Sequence, residues 1–157
     1  MKHHSHISLF ILLISGCTSD GHENTSIESI NWINFRNEAV CYEVKIPDLY
    51  EPHEWEDGSG VRFKRNGNET VMLIRWVNEE DKRRGIWLSH EPKGTCVLSG
   101  QTGKTYDYIH HDGPFGIRTR SWVIPYKARE LGVEFRTQDI TKVEKQILDS
   151  FRLITLE

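Results

Sequence analysis

EFRTQDITKVEKQILDSFRLI, residues 134–154, changes its hydrophobic period partway along, and that change decides the fold class. Up to Arg136 it completes an alternating run from Leu131, the period of a half-buried strand. From Ile140 the rhythm is helical: Ile140, Val143, Ile147 and Leu148 fall on one stripe with polar residues opposite, and Asp139 stands where an N-cap is expected. Phe151, Leu153 and Ile154 then return to apolar character and are expected to close the core. A single amphipathic helix must bury its stripe on something, and a strand feeding into it points to a sheet.

Upstream, alternation dominates. Val40, Tyr42, Val44 and Ile46 share one side of a strand, Cys41, Glu43 and Lys45 take the other, and Pro47 ends it. Val61–Arg65 and Thr70–Val77 flank Asn66-Gly67, a pair that tolerates the positive φ of a tight hairpin turn. After the charged loop Asn78–Gly85, short strands are expected at Ile86–Leu88, Thr95–Ser99 and Lys104–His110, each bounded by Gly or Pro. Two longer ones follow at Ile117–Ile124 and Leu131–Arg136. The expected class is α+β: an antiparallel, meander-rich sheet of about six to eight strands, with a C-terminal amphipathic helix packed on one face.

The quoted tail, together with the Tyr42–Pro47 strand ending in Ile-Pro, resembles the PsbP-like family of small α+β sandwich proteins, which includes bacterial lipoproteins. In that family too a strand leads into a helix that ends in a Ser-Phe step. The resemblance implies a fold and no catalytic residues.

The N-terminus MKHHSHISLFILLISGC is similar to a bacterial lipoprotein signal peptide closing in the lipobox Ile14-Ser15-Gly16-Cys17. The resemblance implies a diacylglycerol on the Cys17 thiol, cleavage before it and acylation of the freed amine. The residues agree. Lys2 precedes an apolar run, Ile7–Ile14, that as a helix is only ~12 Å long against ~30 Å of bilayer hydrocarbon. Such a run engages an export machine without spanning, and Ser15 and Gly16 give a peptidase room. Two or more acyl chains hold a membrane firmly where one does so only marginally. Thr18, rather than Asp, follows the lipidated cysteine, which by the family's sorting habit implies the outer membrane, facing the periplasm. The expected organisation is residues 1–16 as signal peptide, 17–29 as lipidated cysteine and flexible polar tether, and 30–157 as one globular domain.

Cleavage leaves 141 residues with 19 basic and 23 acidic side chains, a formal charge of about −4 that gives nucleic acid nothing to bind. Besides Cys17 two cysteines remain, Cys41 and Cys96, in a compartment where thiols oxidise. A disulfide between them is expected and would stabilise the fold by up to ~4 kcal/mol; the alternative is two buried thiols.

Gly100-Gln101-Thr102-Gly103-Lys104-Thr105 looks like half of a phosphate loop, but Leu98 occupies the position of its first glycine and a strand follows instead of a helix. It reads as a glycine turn between strands, and no nucleotide is expected. His110-His111-Asp112 alternates across a strand end, so the two imidazoles do not share a metal unless the turn at Gly113-Pro114 bends them together. In the acidic segment Glu51–Asp57, Glu54, Glu56 and Asp57 lie around Trp55, yet Arg65 stands where a calcium loop needs its closing glutamate. That segment reads as a solvated loop, a weak cation site or a partner contact. Neither metal nor cofactor is assigned. Gly58-Ser59-Gly60 is not a nucleophile elbow and Cys96 carries no catalytic signature, so no catalytic residue is assigned either.

The better binding candidate is basic and aromatic. Arg118, Arg120 and Trp122 share one side of their strand, and the same alternation offers Arg62 and Lys64 on a neighbouring one. Guanidinium beside indole grips carboxylates, sugars or an acidic protein surface, although an ordinary outward sheet face has similar residues. The expected function is a lipid-anchored binding or accessory module for an envelope protein or glycan. Two alternatives stay open: an immunity-type inhibitor of a periplasmic toxin, using the acidic segment at Trp55, and a cell-envelope hydrolase with His110, His111 or Asp112 near its site.

Overall fold

Asn66 and Gly67 both adopt positive φ, 51° and 75°, and turn the chain between two antiparallel strands as their sequence requires. Ser99 and Gly100 (49° and 76°) and Lys127 and Ala128 (47° and 59°) do the same in two further hairpins. The computed structural model describes residues 29–78, 91–110, 116–137 and 139–155. Its strands are β1 (Trp32–Asn37), β2 (Tyr42–Pro47), β3 (Tyr50–Glu54), β4 (Gly60–Arg65), β5 (Glu69–Trp76), β6 (Gly94–Leu98), β7 (Gln101–His110), β8 (Ile117–Tyr126), β9 (Arg129–Phe135) and β10 (Arg152–Leu153). One helix, α1 (Lys142–Ser150), lies between the last two strands.

The strands form two sheets. Seven run β3-β4-β5-β9-β8-β7-β6, and three run β1-β2-β10, with every pairing antiparallel. The α+β class, the antiparallel meander and the C-terminal helix are as expected, while the second small sheet and the strands β1, β3 and β10 are additions. Tyr42, Val44 and Ile46 of β2 are buried and alternate with exposed Glu43 and Lys45, so the small sheet turns one side to the core and one to solvent. Phe35 of β1 meets Phe63 of β4 edge-on at 5.2 Å, which joins the two sheets. Tyr42 stacks on Phe151 at 5.5 Å, and Ile147 brings the helix into the same cluster.

β5 departs from alternation because both of its faces are covered. Met72 through Trp76 are all buried: Met72, Ile74 and Trp76 join the main core, while Leu73 and Arg75 point to the opposite side. On that second side Val77, Tyr106 and Val123 form a smaller apolar cluster.

Two expectations are corrected. The helix is capped by Thr141, not Asp139: the Thr141 hydroxyl accepts from Val143 N at 3.1 Å, and Glu144 reaches back to Thr141 N at 2.9 Å. The Thr-x-x-Glu spacing satisfies two otherwise orphaned N–H groups, which Asp139 cannot do from two residues further out. Nor are Cys41 and Cys96 bridged. Both are free thiols: Cys41 sits at φ 64° in the turn before β2 of the small sheet, and Cys96 lies on β6, an edge strand of the large one. Strand β2 begins only at Tyr42, so Cys41 does not occupy the polar strand face expected of it. Its Sγ accepts from Lys127 Nζ at 3.0 Å and donates to the Glu38 carbonyl at 3.2 Å. Burial pushes the Cys96 thiol up, toward the protonated form. The signal segment, Cys17, most of the tether, the Ile86–Leu88 strand, His111 and Asp112 lie outside the described residues.

Candidate functional site

Antiparallel register sets Asp107 of β7 directly opposite Arg120 of β8, and their side chains form a two-pronged ion pair: Nε to Oδ1 at 2.6 Å and Nη2 to Oδ2 at 2.9 Å. The Arg120 hydrogen bond holds the Asp107 carboxyl below its ordinary range, helped by the charges of Arg120, Lys93 and Arg118. Arg118 and Ile109 are the next opposed pair on this face, both exposed. These residues line a cleft of about 310 Å³, completed by Lys93 ahead of β6 and by Thr137 and Asp139 between β9 and the helix. That volume is at the lower end for small-ligand sites. Among the described residues no hydrogen bond or ion pair engages the side chains of Lys93, Arg118 or Asp139, so two cations and one acid remain available.

Trp122 shares the arginines' side of β8 but does not join the cleft. It packs edge-on against Phe135 at 5.7 Å and belongs to the margin of the main core. Arg62 and Lys64 are also elsewhere. Strands β5 and β9 separate β4 from β8, and the alternation that sends Val61 and Phe63 into the core turns Arg62 and Lys64 to the other face.

The acidic segment is mostly built structure rather than a solvated loop. Glu51 to Glu54 belong to edge strand β3, where Pro52 is tolerated because one edge needs no donor. Glu54 accepts from buried Asn37 Nδ2 at 3.0 Å, tying β3 to the end of β1. Asp57 accepts from Ser59 N at 2.9 Å and Ser59 Oγ at 2.6 Å, which closes the turn and lowers its pKa. Trp55 is half-buried with its ring 5.9 Å from the Arg75 guanidinium, and Glu56 is exposed. His110 ends β7. Among the described residues no three His, Cys, Asp or Glu side chains are grouped to hold a metal.

Sequence reasoning missed a buried polar layer on the second face of the large sheet. Arg75 Nε donates to Glu134 Oε1 at 2.8 Å, and Tyr108 OH donates to Glu134 Oε2. All three are buried, and Thr119 and Ser121 add hydroxyls on the same side that have no hydrogen-bond partner among the described residues. Burial first, and then the Glu134 charge, drive the Tyr108 hydroxyl well above its ordinary range, so it stays protonated and donates. The available signal was a lone charge inside each of two apolar runs, Met72–Val77 and Leu131–Phe135.

No protein-family model and no curated protein matches the sequence. Among solved structures, the chain is similar to the solution structure of cyanobacterial PsbP (CyanoP) from Synechocystis sp. PCC 6803, with a TM-score of 0.53 and 11% identity over 89% of this chain and 98% of that one. At that identity the likeness shows the fold alone. The architecture is PsbP-like, as the tail and the Tyr42–Pro47 strand implied.

Proposed function

We propose that this chain is a lipoprotein of the bacterial envelope, anchored through acylated Cys17 in the outer membrane and facing the periplasm, whose domain is a binding module for an envelope partner. The cleft between β7, β8 and the segment after β9 carries this reading. Among the described residues it presents Lys93 and Arg118 without a bonded acid, beside an arginine fixed by Asp107. A fixed ion pair next to available charges suits recognition, since little side-chain entropy is lost when a partner docks on a preformed wall. The immunity-type alternative is less well supported, because Glu54 and Asp57 already serve internal hydrogen bonds.

The anchor and the cleft are tested together in cells. A photoreactive residue replacing Ile109 in the full-length protein should give a discrete envelope adduct that Arg118→Glu removes, while the same residue at Val97, exposed on β6, should give none. Equal capture from both positions, or none from Ile109, overturns the proposal. Intact mass of the native protein should show a chain starting at Cys17 with acyl groups; an uncut or unacylated terminus overturns the anchor.

A further inference from the structure

Resting on that binding-module reading, we infer that the cleft takes a peptide carboxylate next to an apolar side chain, the carboxylate on Arg118 and Lys93 and the side chain on Ile109.

Charge narrows the ligand first. Among the described residues the lining carries Lys93, Arg118 and Arg120 with Asp107 and Asp139, three cations against two acids. Arg120 and Asp107 neutralise each other in their two-pronged pair, leaving the unneutralised positive charge with Arg118 and Lys93. One net positive charge suits a monoanion; a polyanionic phosphate chain would meet two carboxylates on the same wall. The planar guanidinium of Arg118 matches the two oxygens of a carboxylate, and the Lys93 ammonium adds a point charge.

Register narrows it further. Ile109 is paired across the ladder with Arg118 and is 51% exposed, a large aliphatic surface beside the available guanidinium. A ligand that satisfies both carries a carboxylate within one residue's length of an apolar group, as the last residue of a peptide does. A sugar acid offers the charge without the apolar side chain.

Aromatic placement separates peptide from glycan. Sugar rings are held by stacking on exposed aromatic faces, and the indole that could have done so, Trp122, is edge-on against Phe135 at the core margin. Tyr108 is buried with its hydroxyl committed to Glu134. Among the described residues, the arginines of β8 thus face the cleft without an exposed ring on which a sugar would stack.

The test uses the full-length acylated protein in detergent and three probes: acetyl-Ala-Ala-Leu with a free carboxylate, the same peptide as its C-terminal amide, and glucuronic acid. Binding is read by calorimetry and by the shift of the Ile109 methyl resonances. The free acid should bind and move those methyls, amidation should weaken binding at least ~10-fold, and Arg118→Ala should cause the same loss. Arg118→Lys should restore part of it, and glucuronic acid should bind more weakly than the peptide acid. Arg118 is exposed, so an unchanged thermal melt is expected for both variants. Equal binding of acid and amide, indifference to Arg118→Ala, glucuronic acid binding as tightly as the peptide, or no peptide binding at all overturns the inference. If the Ile109 adduct in cells persists in those cases, the binding module stands and only its ligand class is wrong; if the adduct is also absent, both readings fall.

Discussion

Replacing Arg75 with methionine probes the polar layer of the large sheet and has a magnitude that follows from its burial. The Glu134 side chain is 3% exposed and that of Arg75 10%, at an Nε to Oε1 distance of 2.8 Å. Removing the guanidinium strands a carboxylate with Tyr108 but without its countercharge, and breaking a buried pair in this one-sided way costs about 3–5 kcal/mol. Domains of this size have only about 5–15 kcal/mol in total, so Arg75→Met should shift the urea midpoint strongly. Glu134→Gln keeps one acceptor oxygen for Arg75 Nε but turns an amide NH2 toward the Tyr108 hydroxyl and leaves the buried guanidinium without its countercharge, so it too should cost about 3 kcal/mol. Tyr108→Phe removes a hydrogen bond to a charged group, worth about 1.5–3 kcal/mol. The double variant Arg75→Met/Glu134→Leu removes both charges and should recover most of the loss, because an apolar pair fits a buried site without desolvation. Urea unfolding followed by tryptophan fluorescence measures these four and the single Glu134→Leu that closes the cycle, which should return a coupling above ~3 kcal/mol. Additive costs, or less than ~1 kcal/mol for Arg75→Met, would refute the claim that this pair is buried and coupled.

Gly103→Ala should destabilise by about 3 kcal/mol, since a Cβ there would lie 2.1 Å from the Val123 carbonyl oxygen and 2.8 Å from Ile124 Cγ2; a midpoint within error of wild type would contradict the close packing of β7 on β8. Ala128→Gly should stabilise by about 0.5–1 kcal/mol, because Lys127 and Ala128 both occupy the left-handed region at a hairpin turn; thermal melts decide. Burial, and then the Glu144 charge, push the Tyr50 hydroxyl up to about 12, so the fold favours its protonated form. Its contribution is fully present below the unfolded tyrosine value of about 10 and is lost as pH rises through the folded value, so Tyr50→Phe should flatten part of the stability decline in that alkaline window, as urea midpoints across it would show.

What could be read from the chain, and what could not, divides by the range of the interaction. Helix α1 was legible because its stripe repeats within nine residues, and the Asn66-Gly67 hairpin because positive φ is a local demand. The Thr141 cap is written in Thr-x-x-Glu, but Asp139 is equally cap-like alone, and only Glu144 separates them. Strands β1 and β3 were invisible for a different reason. Each lies at a sheet edge, and WINFRN and YEPHE have too little buried on either side to alternate. The Arg75–Glu134 pair spans 59 residues, and the absent Cys41–Cys96 bridge likewise turns on which sheet each residue joins. No local pattern carries that information.

The cleft sits between these cases, and β8 shows why. Its core-side positions read Arg118, Arg120, Trp122, Ile124, and alternation puts the first three on one face, as the structure does. What alternation omits is that a face need not have one environment along its length. Burial changes stepwise down this strand: Arg118 is exposed, Arg120 and Trp122 are half-buried, and Ile124 is fully buried in the main core. The order of polarity in the sequence is therefore the order of depth in the fold, with charge at the open end and aliphatic carbon at the closed one. A basic-aromatic face read from spacing alone merges two neighbours that the core divides, the indole belonging to packing and the guanidinium to the cleft. Exchanging them, as Arg118→Trp with Trp122→Arg, would bury a cation against Phe135 and expose an indole beside Ile109. Burying an unpaired charge costs several kcal/mol, so the exchange should unfold the domain readily although composition and spacing are unchanged.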